Sequence, residues 1–148
     1  MKICFLFLIL FSATLLSQNA FAQSNENPET MFNLAKEHFA KGEYKEAIAI
    51  YEEILEIIPN NISTLKMKGI AQSNLDQHTN SLKQFFKILQ HKPNDVISLT
   101  GMGVGFGNLG EYHESISYFE KASKEKPNRN NIISMEYSKT PILTMPDN

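Results

Sequence analysis

The sequence predicts an all-α fold of three stacked helical hairpins, and three observations lead to that prediction. Prolines recur every 34 residues, at Pro59, Pro93 and Pro127. Between them, apolar residues follow the i, i+3, i+4, i+7 spacing of amphipathic helices. A turn former, Gly42 in the first period, separates two such helical stripes. An internal period of this length is typical of proteins built from stacked repeats.

The first 22 residues have the three parts of a secretory signal peptide. Lys2 precedes the apolar run Ile3–Leu16, and the small residues Ala20 and Ala22 flank Phe21 at a cleavage site. We therefore expect cleavage after Ala22 and an exported body that is secreted or periplasm-like. The alternative is an uncleaved N-terminal anchor, which would place the body on a membrane. A polar lead, residues 23–27, follows the signal.

Charge and cysteine content exclude several function classes. The net charge of −2 argues against nucleic-acid binding, which usually needs a clustered basic face. The single cysteine, Cys4, lies in the predicted signal. A mature chain without cysteine cannot be a thiol enzyme, and it has neither a disulfide framework nor a cysteine zinc site.

Each period combines two helices and a turn. In the first period, one apolar stripe is formed by Met31, Leu34, Ala35 and His38, and a second by Ala47, Ile50, Tyr51, Ile54 and Leu55. Gly42 falls between the stripes, where a helix end needs a residue that tolerates positive φ. Pro59 ends the second helix, because it disfavours helical backbone at the preceding residue. One hairpin cannot bury both stripes, so neighbouring hairpins must stack.

The columns shared by the three periods define the repeats. Counted back from each proline, an aromatic residue lies at eight, a small residue at twelve, a ring at fifteen and a turn former at seventeen residues: Tyr51, Phe85, Phe119; Ala47, Ser81, Ser115; Tyr44, His78, Tyr112; Gly42, Asp76, Gly110. Repeat one is predicted over 28–61, repeat two over 62–95 and repeat three over 96–129.

A 34-residue helix–turn–helix with these columns resembles the tetratricopeptide repeat family. Leu34, Ala35, Gly69 and Gly103 also match the family pattern in the first helices. Lys68 departs from it, as do His38 and Gln72, which replace a tyrosine. The resemblance implies a right-handed α-solenoid of three hairpins.

The C-terminal residues 130–148 read as a partial cap and a flexible tail. Solenoids commonly finish with a helix that covers the last apolar face. Apolar residues for a short cap are present at Ile132, Ile133, Met135 and Tyr137. Pro141 and Pro146 prevent a longer helix.

Five of the seven glycines lie between Gly101 and Gly110, and they raise a nucleotide-binding alternative. From Gly105 onward the segment matches the G-x-G-x-x-G pattern of dinucleotide-binding loops. That motif requires a preceding strand, whereas residues 96–99 fall in the helical register of the repeat. Four glycines inside one helix cost about 1 kcal/mol each. We therefore expect a weak first helix in repeat three and keep nucleotide binding only as a remote alternative.

No motif indicates catalysis, a metal or a cofactor. The histidines lack H-x-x-H spacing: His38 and His78 stand in packing columns, and His91 and His113 at surface positions. Asn61 begins an N-glycosylation sequon at a repeat junction, where modification of an exported chain is conceivable. The sequence thus predicts a protein that is not an enzyme and uses no cofactor.

The resemblance also implies a binding surface, because first helices line a concave groove in this family. The groove residues it implies are apolar, amide and ammonium side chains: Phe32, Asn33, Lys36, Phe39, Lys66, Met67, Ile70, Asn74, Ile97, Thr100, Val104 and Asn108. Such a mixture suits an extended or helical peptide better than a polyanion.

One subclass of the family binds C-terminal carboxylates with a lysine and asparagine clamp. At the clamp positions this chain has Phe32, Lys36, Met67, Ile97 and Gly101, so the clamp is disfavoured. The predicted function is a scaffold that binds a peptide or partner protein in the groove. The alternative is a structural module that associates with copies of itself.

Overall fold

The computed structural model describes residues 27–126, 130, 134–136 and 138–140, and these residues contain helices but no strand. The helices form three consecutive pairs, α1 Pro28–Ala40, α2 Tyr44–Ile57, α3 Ile62–Asn74, α4 His78–His91, α5 Val96–Asn108 and α6 Tyr112–Glu125. First helices begin at intervals of 34 residues, as do second helices. The predicted all-α solenoid of hairpins is confirmed. The predicted signal peptide lies outside the described residues.

Each first helix begins at an asparagine or aspartate that caps it. The side-chain oxygens of Asn27, Asn61 and Asp95 accept hydrogen bonds from backbone N–H groups in the first turn, at 3.0, 3.1 and 2.8 Å. These bonds satisfy donors that have no partner within the helix. Asn61 is half-buried in this role. Its glycosylation stays a prediction.

The turns inside the pairs adopt the left-handed backbone that the sequence predicts. The values of φ are +80° at Gly42, +57° at Asp76 and +82° at Gly110. After Gly42, the amide of Glu43 donates back to the carbonyl of His38 at 3.0 Å, which closes the end of α1. This geometry satisfies terminal carbonyls and reverses the chain.

Every helix packs against its neighbour in sequence, and α3 also packs against α5. The aromatic column of the second helices is buried, with Tyr51, Phe85 and Phe119 each at most 2% exposed. One core cluster joins α1 and α2, and a second joins α3, α4 and α5. Repeats are also linked by a hydrogen bond of 2.7 Å from Lys87 Nζ to the carbonyl of Pro59. The core therefore extends along the stacked hairpins in two clusters.

Leu34 corrects one expectation, because it is 42% exposed although its column was expected to be buried. Its counterpart in α5, Met102, is only 3% exposed. The counterpart in α3, Lys68, is half-buried and pairs with Glu52 of the preceding repeat at 2.9 Å. This column faces the preceding repeat, and the described residues include none before α1. Leu34 is thus left uncovered.

Residues 134–136 and 138–140 are helical and pack beyond repeat three. Buried Ser138 lies 3.0 Å from the hydroxyl of Ser115 in α6. Ser115 Oγ in turn donates to the carbonyl of Gly103 at 2.8 Å. A C-terminal segment therefore covers the end of the third hairpin. Of the residues expected to form the cap, Ile132, Ile133 and Tyr137 lie outside the described residues.

Candidate functional site

A groove of about 380 Å³ lies between α3 and α5. We call it the α3–α5 groove. Its lining comes from α3, α4, α5 and the C-terminal segment: Ile70, Ser73, Asn74, Phe85, Val96, Ile97, Thr100, Gly101, Val104 and Asn130. The volume is in the lower part of the range of sites that hold small ligands.

The walls of the groove are apolar and reach solvent. Ile97 is 51% exposed and Val104 is 37% exposed, although both are aliphatic. Ile70 approaches from α3 and is half-buried. A group of exposed apolar side chains rimmed by polar residues is typical of an interaction surface.

The floor of the groove is the ring of Phe85, which fits beneath two glycines. A Cβ atom added at Gly101 would lie 2.6 Å from Phe85 Cζ, and one at Gly69 would lie 3.1 Å from the same atom. Any larger residue at Gly101 would collide with the ring. The glycine therefore lets the Phe85 ring pack directly against the backbone of α5.

Polar groups stand at the rim beside the apolar walls. Ser73 and Asn74 lie at the C-terminal end of α3, and Thr100 lies on α5. One N–H of the Asn74 amide already donates to the carbonyl of Ile70 at 2.9 Å. Side chains of this type can hydrogen-bond to the backbone of an extended segment.

The structure brings together five of the twelve predicted groove residues in this site, Ile70, Asn74, Ile97, Thr100 and Val104. Sequence reasoning missed Ser73, Phe85, Val96, Gly101 and Asn130 as lining residues. The aromatic column contains Phe85, but the repeat pattern does not show that the Phe85 ring packs against a glycine of another helix.

The other predicted groove residues lie elsewhere along the first helices. Phe32 packs against Tyr51 with ring centroids 5.9 Å apart, and Phe39 against Tyr44 at 5.2 Å. Met67 packs against the core cluster of α1 and α2. These three side chains therefore contribute to the interior as well as to the surface.

Polar residues of the predicted groove have varied surroundings. Asn33 is exposed, and Lys36 Nζ lies 5.9 Å from the centroid of the Phe32 ring. Lys66 pairs with Asp95 at 2.8 Å. Asn108 lies 3.5 Å from His78 and lines a second cavity.

The second cavity, of about 330 Å³, lies where the C-terminal segment meets α5 and α6. Gly103 and Gly107 line it together with Ser115, Ser134 and Ser138. A Cβ atom at Gly107 would lie 3.1 Å from Ser115 Oγ, so glycine permits the close approach of these hydroxyls. The cavity thus adjoins the contact between the C-terminal segment and the third hairpin.

The glycine cluster has a packing role in the structure. Residues 101–108 continue α5 without a break, and Gly110 forms the turn to α6. A dinucleotide loop would instead precede the N-terminus of a helix and follow a strand. Within the described part of the chain, no group of three or more His, Cys, Asp or Glu residues could hold a metal ion. No helix among those same residues is long and apolar enough to span a bilayer.

Comparisons with known proteins agree with the helical repeats. Profiles of the tetratricopeptide repeat match residues 28–61 and 103–129. No curated protein sequence matches the chain. The Sgt2 TPR domain from Aspergillus fumigatus superposes with a TM-score of 0.72 at 19% identity, over 82% of this chain and 86% of that domain.

Two further solved structures have the same architecture. The first TPR of Spaghetti (RPAP3), bound to the HSP90 peptide SRMEEVD, gives a TM-score of 0.75 at 14% identity, over 79% of this chain and 94% of that one. MamA from Desulfovibrio magneticus RS-1 gives 0.75 at 16% identity, over 78% and 66%. At these identities the likeness concerns the fold alone.

The stacked hairpins place the molecule in the class of α-solenoid repeat proteins. The profile matches identify tetratricopeptide repeats at residues 28–61 and 103–129, and the solved structures share the fold. Proteins of this fold generally serve as scaffolds for protein interactions.

Proposed function

We propose that the chain is an exported, non-enzymatic scaffold that binds a peptide segment of a partner protein in the α3–α5 groove. The observation that carries the proposal is the exposure of Ile97 and Val104 around a groove of about 380 Å³. Exposed aliphatic side chains lose contact with water when a partner covers them, which favours association. Peptide binding by the first TPR of Spaghetti supports this use of the fold.

The occupant is a segment with two or three apolar side chains. Ile70, Ile97 and Val104 offer apolar surface, while Ser73 and Asn74 offer polar groups at its edge. Apolar anchors would supply burial, and the rim would bind the backbone of the segment. This division of roles gives both affinity and orientation.

The experiment uses residues 23–148 and a library of random decapeptides with blocked termini. We expect selected peptides to contain apolar residues and to bind residues 23–148 saturably in fluorescence anisotropy. The double variant Ile97→Lys, Val104→Lys should weaken their binding by about tenfold or more, which corresponds to about 1.4 kcal/mol. Both side chains are exposed, so the fold should tolerate the change.

The matched control is Ile57→Lys, because Ile57 is 55% exposed and lies on α2 away from the groove. Its affinity should stay within about twofold of that of the parent chain. Equal affinity of the parent and the groove variant would refute the proposal. Substitutions at Phe32 and Met67 are less suitable, because these side chains also pack against the core.

Export is the second part of the proposal and rests on residues 1–22. The N-terminal mass of the protein purified from its native source should correspond to a start at Gln23. A start at Met1 would indicate a retained anchor instead.

Self-association is a second candidate, favoured by apolar residues outside the groove. Leu34, Ile58 and Phe86 are all exposed, and Leu34 lies on the uncovered outer side of α1. A second copy could cover this side as a preceding repeat would. Light scattering after size-exclusion chromatography should then show a dimer that Leu34→Glu disrupts, whereas a monomer at every concentration would exclude it.

A further inference from the structure

An ion pair stands beside the α3–α5 groove and joins its two helices. Lys66 of α3 donates from Nζ to Asp95 Oδ2 at 2.8 Å. Asp95 caps α5 and directly precedes Val96 and Ile97, which line the groove. The two side chains are only 21% and 16% exposed. The pair is therefore partly buried where α3 meets the N-terminus of α5, next in sequence to the lining residue Val96.

Asp95 is held by three donors. Besides Lys66, the backbone N–H and the hydroxyl of Ser98 donate to Asp95 Oδ1, each at 2.8 Å. Burial alone would raise the pKa of Asp95, but the bonds from Lys66 and Ser98 outweigh it and keep that pKa below its ordinary value. The carboxylate is consequently charged at neutral pH.

The three donors around Asp95 are of the kind that would bind a carboxylate of an acidic ligand. A cation, a helix N–H and a hydroxyl together form a favourable setting for a carboxylate. In this chain the setting already holds its own carboxylate. An acidic side chain of a ligand would meet the charge of Asp95 and would find Lys66 engaged.

Other lysines of the first helices do not replace Lys66 in this role. Lys68 pairs with Glu52 at 2.9 Å, on the side that faces the preceding repeat. Lys36 belongs to α1 and lies near the Phe32 ring, outside the groove lining. Among the lysines of the described first helices, Lys66 is thus the one whose partner directly precedes the groove lining.

We propose that Asp95 determines the specificity of the α3–α5 groove, because it neutralises Lys66 and so excludes acidic segments in favour of neutral apolar ones. This inference rests on the proposed peptide-binding function. Like charges brought together at a partly buried site disfavour the wrong partner, which is a common source of specificity.

The test uses Asp95→Asn, which removes the charge but keeps a good helix cap. The probes are a neutral decapeptide selected from the blocked library and its counterpart with two positions changed to glutamate. The parent chain should bind the neutral probe about tenfold more tightly than the acidic one. With Asp95→Asn, Lys66 becomes available, and the ratio should fall to about one or reverse.

The double variant Lys66→Gln, Asp95→Asn is the control for the role of the cation. It should bind the acidic probe more weakly than Asp95→Asn does, because Lys66 is then absent. An unchanged ratio of affinities in Asp95→Asn would overturn the inference while leaving groove binding intact. A neutral probe that binds the Ile97→Lys, Val104→Lys variant as well as the parent would overturn groove binding, and this inference with it.

Discussion

Helices α1 and α5 occupy equivalent places in the first and third repeats but are built in opposite ways. The α1 helix presents large side chains, among them Met31, Phe32 and Phe39, to its surroundings. The α5 helix has glycine at positions 101, 103, 105 and 107. Its neighbours supply the bulk instead, since Cβ atoms at Gly103 and Gly105 would lie 2.8 Å from Phe119 Cε1 and 2.6 Å from Leu82 Cδ2.

The difference shows that the space between helices is filled in both repeats, but by side chains from different helices. In α1 the Gly103 position is Ala35, which is fully buried. A thin α5 lets the aromatic rings of α4 and α6 approach its backbone. Gly101 of the same helix lines the α3–α5 groove together with Phe85. The α3–α5 groove and the packing of repeat three therefore depend on different glycines of the same helix.

The largest expected effect comes from removing the ring that fills the space beside two glycines. Phe85→Ala should lower the free energy of unfolding by about 3–5 kcal/mol, since neighbouring glycines cannot fill the cavity. The adjacent exposed residue gives the control, and Phe86→Ala should change stability by about 0.5 kcal/mol or less. Urea denaturation measures both variants. Equal losses would contradict this account of the groove floor.

A side chain placed on the thin helix should have the next largest effect. Gly103→Val should cost about 2–3 kcal/mol, because its Cβ would overlap the buried ring of Phe119. The converse change in α1, Ala35→Gly, should cost about 1 kcal/mol through helix propensity, plus a smaller loss of burial. Thermal unfolding of the two variants compares the helices directly. If Gly103→Val were stabilising, overlap could not explain the glycine.

A substitution in the aromatic column should have a smaller effect, and it should raise the free energy of unfolding. The hydroxyl of Tyr51 is buried and has no hydrogen-bond partner among the described residues. Repeats two and three have phenylalanine in this column. Tyr51→Phe should therefore stabilise the protein by about 1 kcal/mol at pH 7.

The same variant has a distinct pH dependence. Burial raises the pKa of Tyr51 from 10.0 to about 12. When folding raises the pKa of a group, the neutral form of that group stabilises the folded protein fully below the pKa of the unfolded state. This contribution to the free energy of unfolding is lost as the pH rises towards the pKa of the folded state. The advantage of Tyr51→Phe should thus grow between about pH 10 and 12. Chemical denaturation across this range checks it, and a constant difference would contradict it.

The smallest expected effect is local and requires no substitution. Amides of residues 101–108 should exchange faster than those of residues 32–39, because each helical glycine costs about 1 kcal/mol of backbone entropy. Residues 67–74 of α3, one repeat earlier, provide an internal comparison free of terminal fraying. Hydrogen exchange followed by NMR resolves the three helices. Equal protection would mean that packing offsets the entropy of the glycines completely.

The fold could be predicted from the sequence because its determinants are local and repeated. Pro59, Pro93 and Pro127 marked the ends of second helices, and Gly42 and Gly110 adopt the positive φ expected of them. Leu34 failed as a buried residue because burial depends on a neighbouring repeat, which a helical stripe does not reveal.

The site could be predicted only in part. The family register placed Ile70, Ile97 and Val104 on one surface, and the structure gathers them around one groove. The sequence could not show that Phe85 forms the floor of the groove or that Asp95 pairs with Lys66. Both depend on side-chain rotamers and on volumes contributed by different repeats.

The short range of the contacts between repeats has a consequence for how the chain folds. The bond from Lys87 to Pro59 spans 28 residues, the pair of Lys66 and Asp95 spans 29, and the contact of Ser115 with Ser138 spans 23. Contacts of such low order favour rapid folding that starts in one hairpin and spreads to the next. The terminal hairpins can then open while the middle one stays folded. A ligand bound between α3 and α5 would stabilise the third hairpin against such opening.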